Sequence, residues 1–339
     1  MNTAQCRHQA IVGYAWQYKN KLREGLGHLD FWYLVLGIVG LLIGTELTIG
    51  GALAIARRYR LSDFFVGLIV LSIGSDLPEI AVALDAGMKS LLVQDASGVV
   101  VGTTIGSIVA LIAFVLGVTG LVMFLTLPRS WVLRHGSVLL GATVLLYLAM
   151  VDGVMSRAEG VFLIAAYVVY VMVLLTRETL PEELKETMVR ETSWPWTRLL
   201  SGLLLVTASS ELTVASVVRI ATEFSINEAV ISVLVVGLGT SLPELSISLG
   251  AILKKKVHLS VGNIIGSNIF NTLIPISAAA LLSPVLISPG ILSFDLPFAF
   301  VLTATVLYLF TREYGLQKWE STLLVGVYLL YVVVKLAQL

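Results

Sequence analysis

Two copies of one short motif carry the chemistry this sequence offers. GSDLPE (Gly74–Glu79) and GTSLPE (Gly239–Glu244) each place a hydroxyl, a second oxygen-bearing side chain and a carboxylate at i, i+1 and i+4. Positions three and four apart share a helix face, so Ser75, Asp76 and Glu79 converge, as do Thr240, Ser241 and Glu244. Pro78 and Pro243 cannot donate to the carbonyls of Gly74 and Gly239, four residues earlier, so the helix opens there and frees backbone oxygen. A second stretch, GNIIGSNIFN (Gly262–Asn271), adds Ser267 and Asn271, again at i and i+4, and its shorter counterpart GTTIGS (Gly102–Ser107) ends on Ser107. These donors are all oxygens, without thiolate or imidazole, which favours Na⁺ and Ca²⁺ over zinc or copper. Two carboxylates brought face to face suit a hard divalent cation such as Ca²⁺.

The elements that must hold these groups are membrane helices. The chain has 339 residues, of which 57% are hydrophobic and only 13% charged, against about 25% charged in soluble domains. Its mean hydropathy of +0.92 excludes a soluble globular enzyme and intrinsic disorder. Lys+Arg and Asp+Glu both total 22, so no basic excess exists to neutralise nucleic-acid phosphates. One cysteine, Cys6, allows no internal disulfide and no cysteine-based metal cluster. A helix needs about 20 mostly apolar residues to cross a bilayer. Ten such runs are read, near 31–56, 64–84, 98–125, 131–151, 158–176, 198–220, 229–252, 259–282, 293–311 and 320–338. The fourth, with Arg134 and His135 near its start, is the weakest of them. Residues 1–28 are polar with a few aromatics, lack a cleavage signature, and read as a loose tail, with an interfacial helix as the alternative.

The chain also repeats itself. A shift of 165 residues aligns 43–84 with 208–249 without a gap, with eleven identities, and brings TELT (Thr45–Thr48) onto SELT (Ser210–Thr213). The final helices correspond at a shift of 161, with Tyr167 and Tyr170 over Tyr328 and Tyr331. Each half (29–176 and 198–339) holds five spans, an odd number, so the halves face opposite ways, and 177–197 is the linker between them. Inverted repeats of this kind are typical of secondary transporters, with the substrate near the midplane between them. Of the 22 Lys and Arg, 14 fall on the side holding the linker and 8 on the other. The positive-inside rule places the linker in the cytoplasm and both termini outside.

Glu79 and Glu244 then sit mid-span, where a carboxylate costs about 2.5–3.5 kcal/mol on insertion scales. No Lys or Arg lies at that depth in either half, so the compensation must come from solution, as a cation. Glu46 and Glu211 occupy the first helix of each repeat and read as buried acids without a basic partner, suited to gating or packing more than to ligation.

At these residues the chain resembles the cation/Ca²⁺ exchanger superfamily, in its prokaryotic sodium/calcium exchanger branch. The likeness covers essentially the whole chain, and GTSLPELSISL with GNIIGSNIFN matches the family signature almost letter for letter. The resemblance implies an all-α polytopic protein of ten transmembrane helices in the cell membrane, working as a monomeric transport unit with no cofactor beyond its transported ions. It implies a central site on Glu79 and Glu244, with the hydroxyls of Ser75, Thr240, Ser241 and Ser267 and carbonyls near Ser72 and Gly237. Na⁺ and Ca²⁺ would compete there, and sliding of the first and sixth helices would give alternating access. The first repeat departs from the family pattern. Asp76 stands where the family has serine, Leu111 where it has a polar residue matching Asn271, and Ile108 opposite Asn268. A third carboxylate, Asp76, makes a proton a candidate coupling ion in place of Na⁺, and the alternative reading is an H⁺-coupled antiporter of Ca²⁺ or another divalent cation. An intramembrane aspartyl protease is disfavoured because no GxGD element and no second mid-span Asp occur, and a serine type because no histidine lies at membrane depth. A transport-dead scaffold is the remaining alternative, motivated by Leu111. The linker is too short to hold a folded regulatory domain.

Overall fold

The computed structural model describes residues 3–92, 95–177, 194–223, 239–312 and 315–337, with side chains from Asp30 onward. Its helices are α1 (Thr3–Tyr59), α2 (Asp63–Leu92), α3 (Ser97–Val122), α4 (Arg129–Met150), α5 (Arg157–Arg177), α6 (Pro195–Glu223), α7 (Leu242–Leu253), α8 (Val257–Leu282), α9 (Ile291–Thr311) and α10 (Lys318–Ala337). Among the described residues nine are long and apolar enough to span a membrane, and α7 is the described portion of the tenth. Residues 229–238 of the expected seventh span lie outside the described residues. Large apolar side chains such as Leu42, Leu204 and Val301 face outward, as lipid contact requires.

One expectation changes, and the weakest of the expected spans is borne out. Residues 3–28 continue α1 as helix where a loose tail was expected. The stretch has no proline and is rich in Ala, Gln, Lys, Arg and Leu, all good helix formers. The doubtful fourth span is a regular 22-residue helix. His135 is fully buried in it, with Nδ1 3.0 Å from the Tyr170 hydroxyl and Nε2 buried without a partner.

The inverted symmetry is visible in two small strand pairings. β1 (Val154–Met155), after α4, pairs antiparallel with β2 (Val285–Leu286), after α8. Leu125, after α3, bridges Leu316, after α9. A shift of 161 carries Leu125 onto Leu286 and Met155 onto Leu316, so each pairing is the image of the other to within one residue. Counting spans puts the two on opposite membrane faces, as inversion demands. Helix contacts follow the same rule: α3 packs on α10 as α8 packs on α5, and α1 meets α7 as α6 meets α2.

α8 is the centre of the bundle, with 89% of its apolar window buried. It lies against the Val66–Leu71 segment of α2, which is wound as π-helix. The approach is backbone to backbone, because glycines face carbonyls. A Cβ on Gly262 would fall 2.4 Å from the Phe64 carbonyl oxygen, and one on Gly266 2.1 Å from that of Leu68. Small residues at helix interfaces permit this. The π-turn widens α2 just before the repeated motif, a placement frequent at functional sites. On the outer side α1 runs along α6, again on glycines: Gly44 and Gly51 face the backbone of Val206 and Leu199, and Gly202 that of Thr48.

Candidate functional site

The repeated motifs break their helices at equivalent points. Asp76 interrupts α2 with φ −86° and ψ 7°, and Ser241 precedes α7 with φ −91° and ψ 4°. Both lie in the sparsely populated bridge region, where many active-site residues sit. The cause is local. Pro78 and Pro243, two residues on, cannot donate into the preceding turn but suit the first turn of the helix that follows. The carbonyl freed at Gly239 accepts from the Ser210 hydroxyl on α6 at 3.4 Å.

Both broken helices pack against α8, and their breaks bring three acids together. Asp76, Glu79 and Glu244 are all buried, and each offers a carboxylate oxygen within 4.8 Å of the others. Both oxygens of Glu79, both of Glu244 and Oδ2 of Asp76 are buried without a hydrogen-bond partner. The remaining Asp76 oxygen, Oδ1, accepts from Asn271 Nδ2 at 3.2 Å. None of the ion pairs among the described residues involves these acids. Three carboxylates in so small a dry space repel one another and need positive charge among them.

The other expected residues are found in differing states. The Ser241 and Ser267 hydroxyls and Asn271 Oδ1 are buried and unpartnered. The Ser107 and Thr240 hydroxyls meet each other at 2.9 Å. The Ser75 hydroxyl donates to the Ser72 carbonyl at 3.4 Å, while the Ser72 hydroxyl turns back to the Leu68 carbonyl at 2.6 Å. Gly237 lies outside the described residues.

One expectation fails. Glu46 and Glu211 are not buried, and Glu46 has a basic partner, Lys254 Nζ, at 2.6 Å. Hydropathy fixes a residue's depth and not the side of the helix it points to, and Lys254 reaches α1 from the end of α7. Sequence reasoning also passed over Asn263, whose Nδ2 donates to Ser248 Oγ at 3.1 Å, and Thr45, whose buried Oγ1 is unpartnered. The signal for Asn263 was there: Ser260, Asn263, Ser267 and Asn271 recur at three- and four-residue steps, one polar face on a buried helix.

The model of the sodium/calcium exchanger protein family matches residues 29–176 and again 194–337, nearly the whole chain. The chain belongs to this family. A putative antiporter, CaxA of Alkalimonas amylolytica, is 31% identical over 84% of the chain and 90% of its own length. The sodium/calcium exchanger MaX1 of Methanosarcina acetivorans is 25% identical over 90% of the chain and 98% of its own length. Among solved structures, the sodium–calcium exchanger NCX_Mj soaked with Na⁺ and Sr²⁺ superposes with a TM-score of 0.78. It is 26% identical, covering 90% of this chain and 98% of that one. The protein is thus an all-α membrane transporter of the cation/Ca²⁺ antiporter class. The exchanger's three central acids come from both of its repeats; inverted-repeat transporters hold their cargo between such repeats.

Proposed function

We propose that this exchanger moves Ca²⁺ across the cell membrane against Na⁺ by alternating access, with Asp76, Glu79 and Glu244 binding the cations. One observation carries the reading: three buried carboxylates converge within 4.8 Å with no basic side chain paired to them. Hard anionic oxygens with hydroxyl and amide oxygen beside them match the preference of Ca²⁺ and Na⁺. Five of the oxygens are unpartnered in a buried setting, a state that a bound cation relieves. The sodium/calcium exchangers among the relatives support the choice of ions. The bulk of Lys and Arg on the linker side supports a cytoplasmic linker and outward termini. The α1–α6 pair, joined along glycines and placed on the outside of the bundle, suits the part that slides. The transport unit is one chain, since both halves of the site come from its own repeats.

The test is uptake of radiolabelled Ca²⁺ into proteoliposomes preloaded with Na⁺. Uptake should rise with the outward Na⁺ gradient and vanish when choline replaces Na⁺ on both sides. Uptake that persists without Na⁺ and follows an imposed pH gradient selects proton coupling instead, a reading favoured by the extra acid Asp76. No uptake under either gradient would leave a transport-dead scaffold.

Glu46 lies outside this machinery. The Glu46–Lys254 pair is partly exposed, at 59% and 33% of the two side chains. Glu46→Gln is expected to retain Ca²⁺ uptake and to lower stability by no more than about 1 kcal/mol, as for other partly exposed pairs. Thermal unfolding in detergent beside the uptake assay checks both.

A further inference from the structure

One face of α8 continues past the central site. Ser260, Asn263, Ser267 and Asn271 recur at steps of three and four residues and so stand in line. Ser267 and Asn271 belong to the site. Asn263 and Ser260 lie about 6 and about 10 Å further along the axis, at about 1.5 Å per residue, toward the end of α8 on the linker's side. Both are fully buried. Asn263 Nδ2 donates to Ser248 Oγ on α7 at 3.1 Å, while Asn263 Oδ1 and Ser260 Oγ have no partner. Two other buried oxygens on α8 are unpartnered but stand off this line. Asn268 is turned about 100° from Ser267 and sends its Nδ2 back to the Ile264 carbonyl. Ser277 follows Pro275, and its backbone packs on Gly160 of α5. The line begins at charge. The Ser260 amide donates to the Lys256 carbonyl, and Lys256 Nζ pairs at 3.0 Å with Asp63, a partly exposed acid at the start of α2. The image face on α3 is different. Aligning GTTIGS with GNIIGS carries Ser260 onto Val100 and Asn263 onto Thr103, and aligning the two LPE motifs carries Ser248 onto Ala83. Thr103 is satisfied by its own helix, at the carbonyls of Val99 and Val100. Thr104 beside it is the image of Ile264, off the line.

We propose that the exchanger's route between the central site and the linker side runs along this line, where Ser260 and Asn263 hold the water that passes the cation on. The proposal rests on the reading of the three acids as the cation site. Leaving a buried donor or acceptor unmet is costly, and buried water commonly meets it. Here the unmet oxygens fall one after another between a partly exposed acid and three buried ones, with no ionisable side chain on the line between them. Neutrality suits a passage. A path must hold an ion well enough to admit it and weakly enough to release it, and hydroxyl and amide oxygens do this where another buried carboxylate would trap the ion. Because the image line offers Val100 and Ala83 instead, the route to the opposite side does not follow α3.

The experiment reads radiolabelled Ca²⁺ twice on the full-length protein, as equilibrium binding in detergent and as the initial rate of uptake into proteoliposomes. Asn263→Leu should keep the Ca²⁺ affinity within about twofold and slow uptake about tenfold or more, the rate equivalent of one unmet buried polar contact. Asn263→Ser, too short to reach Ser248 but still polar, should restore most of the rate. If the two variants are equally slow, Asn263 serves only to tie α8 to α7, and the proposal is overturned; full-rate uptake by Asn263→Leu overturns it as well. A second measurement does not depend on how well the leucine is tolerated. Cys6 is the only cysteine, so Ser260→Cys in a Cys6→Ser background carries one thiol. During exchange, a cationic, membrane-impermeant thiosulfonate should modify it from the linker's side of the membrane alone and block uptake. Val100→Cys in the same background should resist the reagent from both sides. A Ser260→Cys thiol that reacts from neither side, or a Val100→Cys thiol that reacts as readily from the other side, overturns the assigned route. Failure of the underlying reading looks different: the wild type would bind no Ca²⁺, while the sidedness of Ser260→Cys modification would still report on the line.

Discussion

Glu244→Ala is expected to abolish Ca²⁺ uptake, leaving no rate above that of empty vesicles, and Glu79→Ala to do the same. Both side chains come from the first turn after a helix break, so the backbone fixes the point from which each carboxylate reaches into the site. Removing one charged partner from a buried ionic arrangement costs about 3–5 kcal/mol, which is roughly a 10²- to 10⁴-fold loss of cation affinity. The sign of the accompanying stability change separates a lost ligand from a damaged fold. With no cation bound, three carboxylates within 4.8 Å repel one another, so deleting one should leave the cation-free protein as stable as the wild type or more so. The wild type should gain stability from Ca²⁺, about 2.7 kcal/mol at a hundredfold excess over its Kd, and the alanine variants should gain almost none. Thermal unfolding with and without Ca²⁺ reads this directly. A variant that loses uptake yet keeps the Ca²⁺-dependent rise in Tm would place its carboxylate outside the binding site. Glu244→Gln should fall between, since it keeps one oxygen in place and loses the charge.

Much of the site could be read from the chain because its determinants are local. The proline two residues after Asp76 and Ser241 dictates a break, and the i to i+4 spacing dictates which side chains share the face beside it. The repeat then supplies the one long-range fact needed, that the two breaks oppose each other. Features that depend on how a helix is turned about its own axis were out of reach. Glu46 and Glu79 are both acids within apolar spans, yet one is exposed beside Lys254 and the other is buried. Hydropathy gives both the same depth. The Ser107–Thr240 contact joins residues 133 apart, and no periodicity connects them. Symmetry would assign its image partners the same bond, but the structure leaves Ser267 unbonded. The fold itself was legible at the level of spans and inversion, and less so at helix ends, where α1 extends through the polar segment before its apolar run.

The contact that fixes the site's dimensions is the α2–α8 crossing, and it is the place where the smallest change should do the most harm to the fold. Gly266→Ala is expected to destabilise the protein by about 1–3 kcal/mol or more, the range for overpacking a filled interior. The added methyl would sit 2.1 Å from the Leu68 carbonyl oxygen and 2.7 Å from its carbon. Both are backbone atoms that no rotamer change can move. Gly262→Ala meets the Phe64 carbonyl oxygen at 2.4 Å, one turn earlier, so relief at one site does not relieve the other. Gly67 on α2 is equally close to the Leu259 carbonyl, at 2.3 Å, which blocks an answer from the opposite helix. The helices must therefore move apart. Such a shift would carry Asn271 away from Asp76 and lengthen a 3.2 Å contact. Loss of Ca²⁺ binding should thus accompany the loss of stability even though neither glycine bears a ligand atom. Gly141 is the control. It is exposed on α4, and among the described residues nothing lies within 4 Å of a Cβ placed there. Gly141→Ala should be neutral or favourable, since alanine exceeds glycine in helix propensity by about 1 kcal/mol. Unfolding temperatures and Ca²⁺ titrations of the three alanine variants at positions 141, 262 and 266 decide the matter. If Gly266→Ala behaved like Gly141→Ala, close backbone packing would not be what sets the spacing of the carboxylates.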